Sequence, residues 1–361
     1  MNDVKRFLLL AVLFLTGCSF ADKEEVIAPE DFSEKMTSFD AYDSPPTSMT
    51  IGMIGDILLH DPLYTYDDYA YSFEEVKAPL ENIDFLLANQ ESMPAGESFT
   101  YSGYPAFNSP PHIIEALQNV GVDMVSIANN HTLDRGEKGV LAAIDNIKSY
   151  DMPYVGAYLS EKDQNEFRIV TVNGIKLGIL AYTYGTNGIP TPKGKDYLVA
   201  RIDPERITRE VQELKELVDV TIVSMHWGNE YELSPHQSQI DLAQVIADAG
   251  GDIIFGHHPH VLQNFDSLEG QDGNETHVLY SLGNFYSGQK FEYTDIGGIA
   301  QFTIEKSRND EIKVHQPSFY PTAVVKDKKD IFKVVPLQSV ENDKIVTHDW
   351  VLDHMKAANF K

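Results

Sequence analysis

Side chains that can bind metal ions follow five apolar segments of this 361-residue sequence, at the point where each segment ends. They are carboxylates, carboxamides and imidazoles, and they lie within residues 55–60, 89–91, 129–134, 226–230 and 256–260. Oxygen and imidazole ligands together suit a pair of Mn, Fe or Zn ions, whereas a structural zinc site usually contains cysteine thiolates. We therefore predict a centre that binds divalent metal ions, two of them if all five segments contribute.

Such a centre would favour hydrolysis by metal-bound water, without a nucleophilic side chain. Two metal ions can bring the pKa of bound water close to neutral and hold both oxygens of an in-line phosphoryl displacement. The sequence has no Gly-x-Ser-x-Gly elbow, no His-Glu-x-x-His helix, no P-loop and no Gly-x-Gly dinucleotide fingerprint. Metal-activated water is therefore the nucleophile that this sequence favours.

Each signal taken alone also has a structural explanation. A histidine after a strand, such as His226, is often a hydrogen-bonded core residue, and Asp56 has the residue type of a helix cap. Glu91 is compatible with a solvated loop, and the asparagine pair at 129–130 with a turn. The combination favours metal binding, because three of the chain's 12 histidines lie within residues 257–260.

The polar segments must be positioned by alternating strands and helices. Short apolar runs predict strands at residues 50–59, 85–88, 122–128, 218–224 and 252–255. Amphipathic stretches between them predict helices at residues 111–120, 137–150, 204–217 and 235–249. This alternation indicates a largely parallel sheet, and ligands of such sheets collect beyond the carboxyl ends of the strands.

Other strands make the predicted sheet content mixed. Asn173-Gly174 lies between apolar runs at residues 169–172 and 176–181, which is a strong hairpin signal. Residues 278–282 and 299–304 add two more strands. Two sheets sandwiched between layers of helices accommodate this content better than one open sheet, so the predicted class is α/β.

The N-terminus has the composition of a targeting segment. Lys5 and Arg6 precede an apolar run over residues 7–15, which is too short to span a bilayer. The tetrapeptide Leu-Thr-Gly-Cys that ends at Cys18 resembles a bacterial lipobox, which implies cleavage before this cysteine and a lipid on its thiol. We predict a lipoprotein signal peptide over residues 1–17. The alternative is an ordinary secretory signal with an incidental cysteine.

Three regions are predicted after the signal peptide. Residues 18–48 are polar and acidic and are expected to form a flexible tether. Residues 49–305 contain the metal-binding motifs and form the main domain. Residues 306–361 are a C-terminal extension that we expect to pack on that domain.

The charge of the chain limits its partners. Lys and Arg number 28 against 55 Asp and Glu, giving a formal net charge of −27. A surface that follows nucleic-acid phosphates has no electrostatic basis here, so no nucleic acid is expected as a partner. The single cysteine excludes a disulfide within the chain.

The order and spacing of the strand-end motifs resemble those of the bacterial capsule-synthesis CapA family. The motifs are Gly55-Asp56, Asn89-x-Glu91, Ala128-Asn129-Asn130-His131 with Asp134-x-Gly136, His226-Trp227-Gly228-x-Glu230, Gly256-His257-His258-Pro259-His260-Val261-x-Gln263 and Leu282-Gly283-Asn284-Phe285. The resemblance covers residues 49–304. It implies a calcineurin-like metallophosphatase fold, a four-layer αββα sandwich with two mixed sheets, and a role in poly-γ-glutamate capsule synthesis or export at the cell surface.

The resemblance also implies roles for individual residues. The metal ligands would be Asp56, Glu91, Asn130, His226, His258 and His260. Further candidates for the metal shell are His60, Asn89, His257 and Glu230. His131 would be the acid that protonates a leaving oxygen, with Asp134 as its positioning partner. The first motif lacks the Asp-x-His pair of general metallophosphatases, and the second has Asn89-x-Glu91 in place of Gly-Asp-x-x-Asp, so phosphatase activity does not follow from the fold alone.

Two functions of different class follow from these observations. In the first, the protein is a hydrolase anchored by lipid on Cys18 to the extracytoplasmic face of the cell membrane, and it cleaves a phosphoester or an anionic polymer. In the second, it is a non-catalytic polymer-binding subunit of a capsule synthase or exporter. Membrane proteins of capsule synthesis or export would be its partners in either case. The net negative charge favours a metal-centred role, because an anionic polymer would be repelled elsewhere.

Overall fold

The computed structural model describes residues 46–340, 346–355 and 359–360. The predicted signal peptide, Cys18 and nearly all of the tether lie outside these residues. The strands are β1 (Thr47–Leu58), β2 (Phe85–Gln90), β3 (Val122–Ser126), β4 (Tyr154–Val155), β5 (Arg168–Val172), β6 (Ile175–Thr183), β7 (Val220–His226), β8 (Ile253–His257), β9 (Leu262–Glu269), β10 (Glu275–Leu282), β11 (Asn284–Ser287), β12 (Ile296–Lys306), β13 (Ile312–Val314), β14 (Ser318–Lys326), β15 (Phe332–Pro336) and β16 (Asn359–Phe360). The helices are α1 (Ala70–Phe73), α2 (Lys77–Leu80), α3 (His112–Asn119), α4 (Gly136–Ser149), α5 (Glu161–Gln164), α6 (Pro204–Lys215), α7 (Gln237–Ala249) and α8 (His348–Met355).

The strands form two mixed sheets. The first has the order β15-β14-β12-β1-β2-β3-β4, in which β1 to β4 are parallel and β12, β14 and β15 are antiparallel. Strands β11, β13 and β16 pair with β1, β12 and β14 beside this path. The second sheet has the order β5-β6-β7-β8-β10-β9, with antiparallel strands at its two edges. The predicted α/β class with two mixed sheets is confirmed.

Alternating side chains on the strands separate three apolar layers. In β2, Leu86 packs with helices α3 and α4, whereas its neighbour Leu87 packs towards the second sheet. In β7, Ile222 belongs to the same middle layer, and Val223 packs outwards against Val211 of α6 and residues of α7. Because successive side chains on a strand point to opposite faces, this pattern gives the predicted four layers, helix, sheet, sheet, helix.

Most predicted elements are present with shifted ends. Strands β7 and β8 run further than predicted, so His226 and His257 are the last residues of their strands and do not follow them. The predicted hairpin is formed by β5 and β6, and Asn173 and Gly174 both have positive φ, as a tight two-residue turn requires. Helix α7 begins at Gln237, because His236 caps its first turn.

The C-terminal part of the chain extends the first sheet. Strand β12 crosses position 305, and β14 and β15 continue the sheet beyond it. Helix α8 packs near β9 of the second sheet. Within the described residues, every helix is too short or too polar to cross a bilayer.

Candidate metal centre

The candidate centre lies where the carboxyl ends of strands from both sheets meet. Asp56, near the end of β1, is in register with Asn89 of β2 and Asn284 of β11. His226 and His257, the last residues of β7 and β8, are partners in the second sheet. The pairing of the strands therefore brings together side chains as distant in the sequence as Asp56 and Asn284.

Strand β1 comes very close to a neighbouring segment just before Asp56. A Cβ atom on Gly55 would lie 2.2 Å from the carbonyl oxygen of Gly283, so only glycine permits this approach. The same carbonyl accepts a hydrogen bond of 2.9 Å from the backbone N–H of Asp56. The Gly55-Asp56 motif therefore positions the carboxylate by close backbone packing.

Four hydrogen bonds hold the buried carboxylate of Asp56. Oδ1 accepts from Nδ2 of Asn89 at 2.8 Å and from Nδ1 of His257 at 3.0 Å. Oδ2 accepts from the backbone N–H of His258 at 3.3 Å and from Nδ1 of His260 at 3.2 Å. Burial by itself raises the pKa of Asp56, but the hydrogen bonds from His257 and His260 outweigh it and hold this pKa well below its usual value. Both histidines donate through Nδ1, which leaves Nε2 of each ring free to bind a metal.

The carboxylate of Glu91 is equally buried but has no hydrogen-bond partner among the described residues. Its Oε1 lies 3.5 Å from Nε2 of His226 and 3.8 Å from Nε2 of His260. Burial and then the charge of Asp56 raise the pKa of Glu91 well above its usual value. A buried ionised carboxylate needs a compensating charge, and a cation between Glu91 and the imidazoles would supply it.

Two groups of ligand atoms meet at Glu91. One group is Asp56, Glu91 and His226, and the other is Glu91, His258 and His260; within each group the ligand atoms lie within 4.8 Å of one another. Nε2 of His257 and Nδ1 of His258 are also buried without a partner. Glu91 is common to both groups and could contribute to either ion. These donors fit divalent metal ions, and they allow two.

Two imidazoles of the centre, those of His226 and His258, favour the neutral form that binds metal ions. Burial, followed by the repulsion of neighbouring histidines, lowers the pKa of His226 well below its usual value and that of His258 to about 3. Nε2 of His226 lies 2.8 Å from Oδ1 of Asn130, so both atoms can approach the same ion. His258 and His260 have φ angles of 96° and 60°, a conformation that non-glycine residues adopt at a cost and that is concentrated at functional sites.

His131 lies outside both ligand groups and lines a cleft of about 890 Å³ next to them. Its Nδ1 is 2.7 Å from Oδ2 of Asp134, which also accepts a hydrogen bond of 2.7 Å from the backbone N–H of Phe107. The ring of Phe107 packs edge-on against the imidazole, with 4.6 Å between ring centres. Asp134 therefore fixes the orientation of His131 and leaves Nε2 able to carry a proton.

None of the four further candidates belongs to the two ligand groups, although His257 contacts Asp56. His60 lines the cleft, but β1 ends at Leu58 and the following turn directs the Nδ1 of His60 to the carbonyl oxygen of Leu58, at 3.2 Å. Burial lowers the pKa of His60 to about 4. Glu230 is exposed at the cleft. The structure does not place either residue in the metal shell, whereas Asn89 lies behind Asp56 as a hydrogen-bond donor.

Sequence reasoning assigned no role to three residues at the centre. Asn187, in the loop after β6, accepts a hydrogen bond of 3.2 Å from Nδ2 of Asn130, and its own Nδ2 is 3.3 Å from Nδ1 of His131. Oδ1 of Asn284 is 3.1 Å from Nδ1 of His260. The ring of Tyr184 packs near that of His258, with 4.6 Å between their centres. Asn284 lies in a motif that the sequence already indicated, but Asn187 resembles an ordinary Asn-Gly turn.

Comparison with known proteins supports the same relationship. The family model described as "Bacterial capsule synthesis protein PGA_cap" matches residues 50–289. The chain is 27% identical over 381 residues to "Capsule biosynthesis protein CapA" of Bacillus anthracis. This alignment covers 96% of this chain and 87% of that protein. It is 30% identical over 221 residues to "PGA biosynthesis protein CapA" of Bacillus subtilis strain 168, covering 61% of this chain and 57% of that protein.

Distant similarity to solved structures was also found. The NAD nucleotidase of Haemophilus influenzae is 12% identical with a TM-score of 0.49, covering 88% of this chain and 57% of that one. A 5'-nucleotidase precursor of Thermus thermophilus is 16% identical with a TM-score of 0.45, covering 80% of this chain and 54% of that one. The chain spans just over half the length of both nucleotidases, and at these scores the likeness carries no argument about activity.

Proposed function

Because the chain belongs to the bacterial capsule synthesis PGA_cap family, we propose that it is a metal-dependent hydrolase of poly-γ-glutamate capsule synthesis or export. We further propose that lipid on Cys18 anchors it to the extracytoplasmic face of the cell membrane, beside the membrane proteins of capsule synthesis or export. Its substrate would be a phosphoester or an anionic polymer that reaches the cleft beside Glu91.

One observation carries the hydrolase proposal: the buried, unpartnered carboxylate of Glu91 lies between two sets of imidazole and carboxylate donors. Asp56, His226, His258, His260 and Glu91 would hold the metal ions. A bound divalent ion would supply Lewis acidity and lower the pKa of water. Hydrogen bonds to Asp56 from behind the centre keep its carboxylate charged and oriented.

His131 supplies the proton in this proposal. Asp134 holds Nδ1 of the imidazole, so Nε2 is the atom that delivers a proton to the leaving oxygen. The ring of Phe107 restricts its rotation. His131 therefore acts beside the metal shell and not within it, which separates its function from metal binding.

The test is a screen of the purified full-length protein in Mn-containing buffer against phosphomonoesters, phosphodiesters and poly-γ-glutamate. His131→Ala should keep the metal content and lower turnover by roughly 10² to 10⁴. Asp56→Ala should lose metal and turnover together. His315→Ala, a partly exposed histidine paired with Glu305 away from the centre, serves as the control and should change neither.

The second candidate function is a non-catalytic subunit that binds the polymer. Two observations favour it: Asn89 takes the position of an acidic residue in the second motif, and another relative is named "Probable polyglutamine synthesis accessory protein" in Mycobacterium tuberculosis, 25% identical over 252 residues. If the metal-loaded wild type hydrolyses none of the substrates while deletion of its gene abolishes the capsule, the accessory function replaces the hydrolase.

A further inference from the structure

Exposed aromatic side chains are concentrated around the metal centre. Among the described residues, three of them line the cleft: Tyr104 is 77% exposed, Phe291 60% and Tyr231 38%. A fourth, Tyr184, is 47% exposed and lies against His258. The other exposed aromatic of the described part is Tyr71, which hydrogen-bonds to Asp327 away from the cleft. We call Tyr104, Tyr231 and Phe291 the aromatic rim.

Two members of the aromatic rim, Tyr231 and Phe291, are held by contacts with each other and with segments of the centre. The rings of Tyr231 and Phe291 are 4.8 Å apart at their centres, and the backbone N–H of Tyr231 donates to the carbonyl of Pro259 at 2.9 Å. Nδ2 of Asn284 donates at 2.9 Å to Oε1 of Gln289 and to the carbonyl of Thr294, on either side of Phe291. These two rings are therefore positioned relative to the ligand His260 before any substrate binds.

The charges of the cleft do not suit an extended polyanion. Lys290 is the single Lys or Arg among the described residues that line it, and Asp134 and Glu230 are the carboxylates. The whole chain adds long-range repulsion through its formal charge of −27. The cleft can therefore hold one anionic group at the metal ions and Lys290, and next to it the rim presents apolar ring faces.

We propose that the aromatic rim is a subsite for a ring, and that the substrate is a phosphoester whose leaving group carries a ring, from a sugar or a nucleobase. A nucleobase stacks on aromatic side chains through its π-face, and a sugar ring packs on them through its apolar C–H face. The proposal deepens the proposed hydrolase function and rests on it for the reaction. In that reaction a P–O bond forms from water and the P–O bond to the ring-bearing alcohol breaks; the leaving oxygen takes the proton of His131, and a proton from water restores it.

Binding of non-hydrolysable probes tests the subsite without using turnover. Phenylphosphonate and butylphosphonate carry the same anionic group, and only the first has a ring. Isothermal titration of the Mn-loaded full-length protein should show tighter binding of phenylphosphonate. Phe291→Ala should weaken it by about 2- to 10-fold, with little effect on butylphosphonate, and Phe291→Trp should preserve it. Tyr71→Ala is the matched control for loss of an exposed aromatic.

The outcomes separate this proposal from the hydrolase. Equal affinity of the wild type for the two phosphonates, no binding of either, or equal weakening of both by Phe291→Ala would overturn the subsite. Tighter binding of phenylphosphonate that depends on Phe291, without hydrolysis of any ester, would support the subsite and overturn the hydrolase proposal. Hydrolysis of a ring-bearing ester with a KM that Phe291→Ala leaves unchanged would support the hydrolase proposal and overturn the subsite. Competition of phenylphosphonate with glucose 1-phosphate and with adenosine monophosphate then distinguishes a sugar from a nucleobase.

Discussion

Asp56 and Glu91 are both buried carboxylates at one site, yet their surroundings are opposite. Asp56 accepts four hydrogen bonds and its pKa is held low, whereas Glu91 accepts none and burial raises its pKa. A fully hydrogen-bonded carboxylate is stable without a metal ion, but an unpartnered one is not. Glu91 is therefore the residue at which metal binding and the stability of the fold are most directly coupled.

Glu91→Gln should remove metal and stabilise the metal-free protein. Because the folded-state pKa of Glu91 is raised, its contribution to stability is present below the usual pKa of a glutamate and is lost as pH rises through the raised value. The glutamine has no charge to bury, so the chelated variant should unfold at a higher temperature than the chelated wild type at pH 7, and at a similar temperature near pH 4. Metal analysis and thermal unfolding with EDTA measure both effects.

The control for this prediction is Glu230→Gln, which changes an exposed carboxylate at the same cleft. It should keep the metal content and leave the chelated protein's stability unchanged. If Glu91→Gln retains all of its metal, or if both variants lose it to the same extent, Glu91 is not a ligand.

The sequence identified the residue types of the centre more readily than their individual positions. Asn89 and Glu91 are two residues apart and therefore point to the same side, so the sequence offered both as candidates for the metal shell. The structure separates them, because Asn89 donates to Asp56 and Glu91 has no partner. The proximity of Asn187 to His131 depends on a long-range loop contact, which no local pattern encodes.

At the scale of elements, the strands were more predictable than their ends. Apolar runs located β7 and β8, but His226 and His257 are within the strands because they pair with each other in the ladder. A strand ends where its residues no longer have a partner in the neighbouring strand. The sequence of one strand does not show where its neighbour ends. Helix α8 also had no predictive signal, because its helical stretch is short and gains its stability from packing.

Helix α8 packs against the loop that contains Phe291. The ring of Trp350 stacks on Tyr293 at 5.3 Å and on His354 at 4.5 Å, and Nε2 of His354 lies 2.7 Å from the carbonyl oxygen of Leu262. The stack therefore connects the loop to the start of β9. If Phe291 belongs to a ring-binding subsite, this stack would help to position it.

Trp350→Ala should loosen the loop without disturbing the metal centre. Loss of the stacked contact with Tyr293 should lower the free energy of opening of residues 289–294 by about 0.5–1.5 kcal/mol. Hydrogen exchange should accelerate in that loop, and KM for a ring-bearing ester should rise while metal content stays constant. Trp350→Phe keeps a ring and should restore most of the protection. Loss of metal, or exchange that accelerates equally throughout the chain, would show that α8 supports the fold generally.

At the scale of the whole molecule, the layers followed from the alternation of strands and helices, but the order of the strands did not. Neighbouring residues such as Ile299 and Ala300 in β12 belong to different apolar layers, which the two-residue period predicts. The position of β12 beside β1, however, depends on a connection across many residues. One sheet therefore combines the first strand with the last ones, and the metal centre lies where it meets the second sheet.

The last prediction concerns attachment of the whole molecule to a membrane. Cys18 lies outside the described residues, and the tetrapeptide that ends at this cysteine resembles a lipobox, which is the basis of the proposed lipid anchor. Cys18→Ser should move the protein from the membrane fraction to the soluble fraction and remove the mass of the lipid, while metal content stays unchanged because the centre begins at Asp56. Fractionation after an alkaline carbonate wash, with mass spectrometry of the N-terminal peptide, measures this. The control variant Ser19→Ala keeps the cysteine and should remain in the membrane fraction. If Cys18→Ser also remains in the washed membranes, attachment does not depend on lipid at this cysteine and the proposed lipid anchor is wrong.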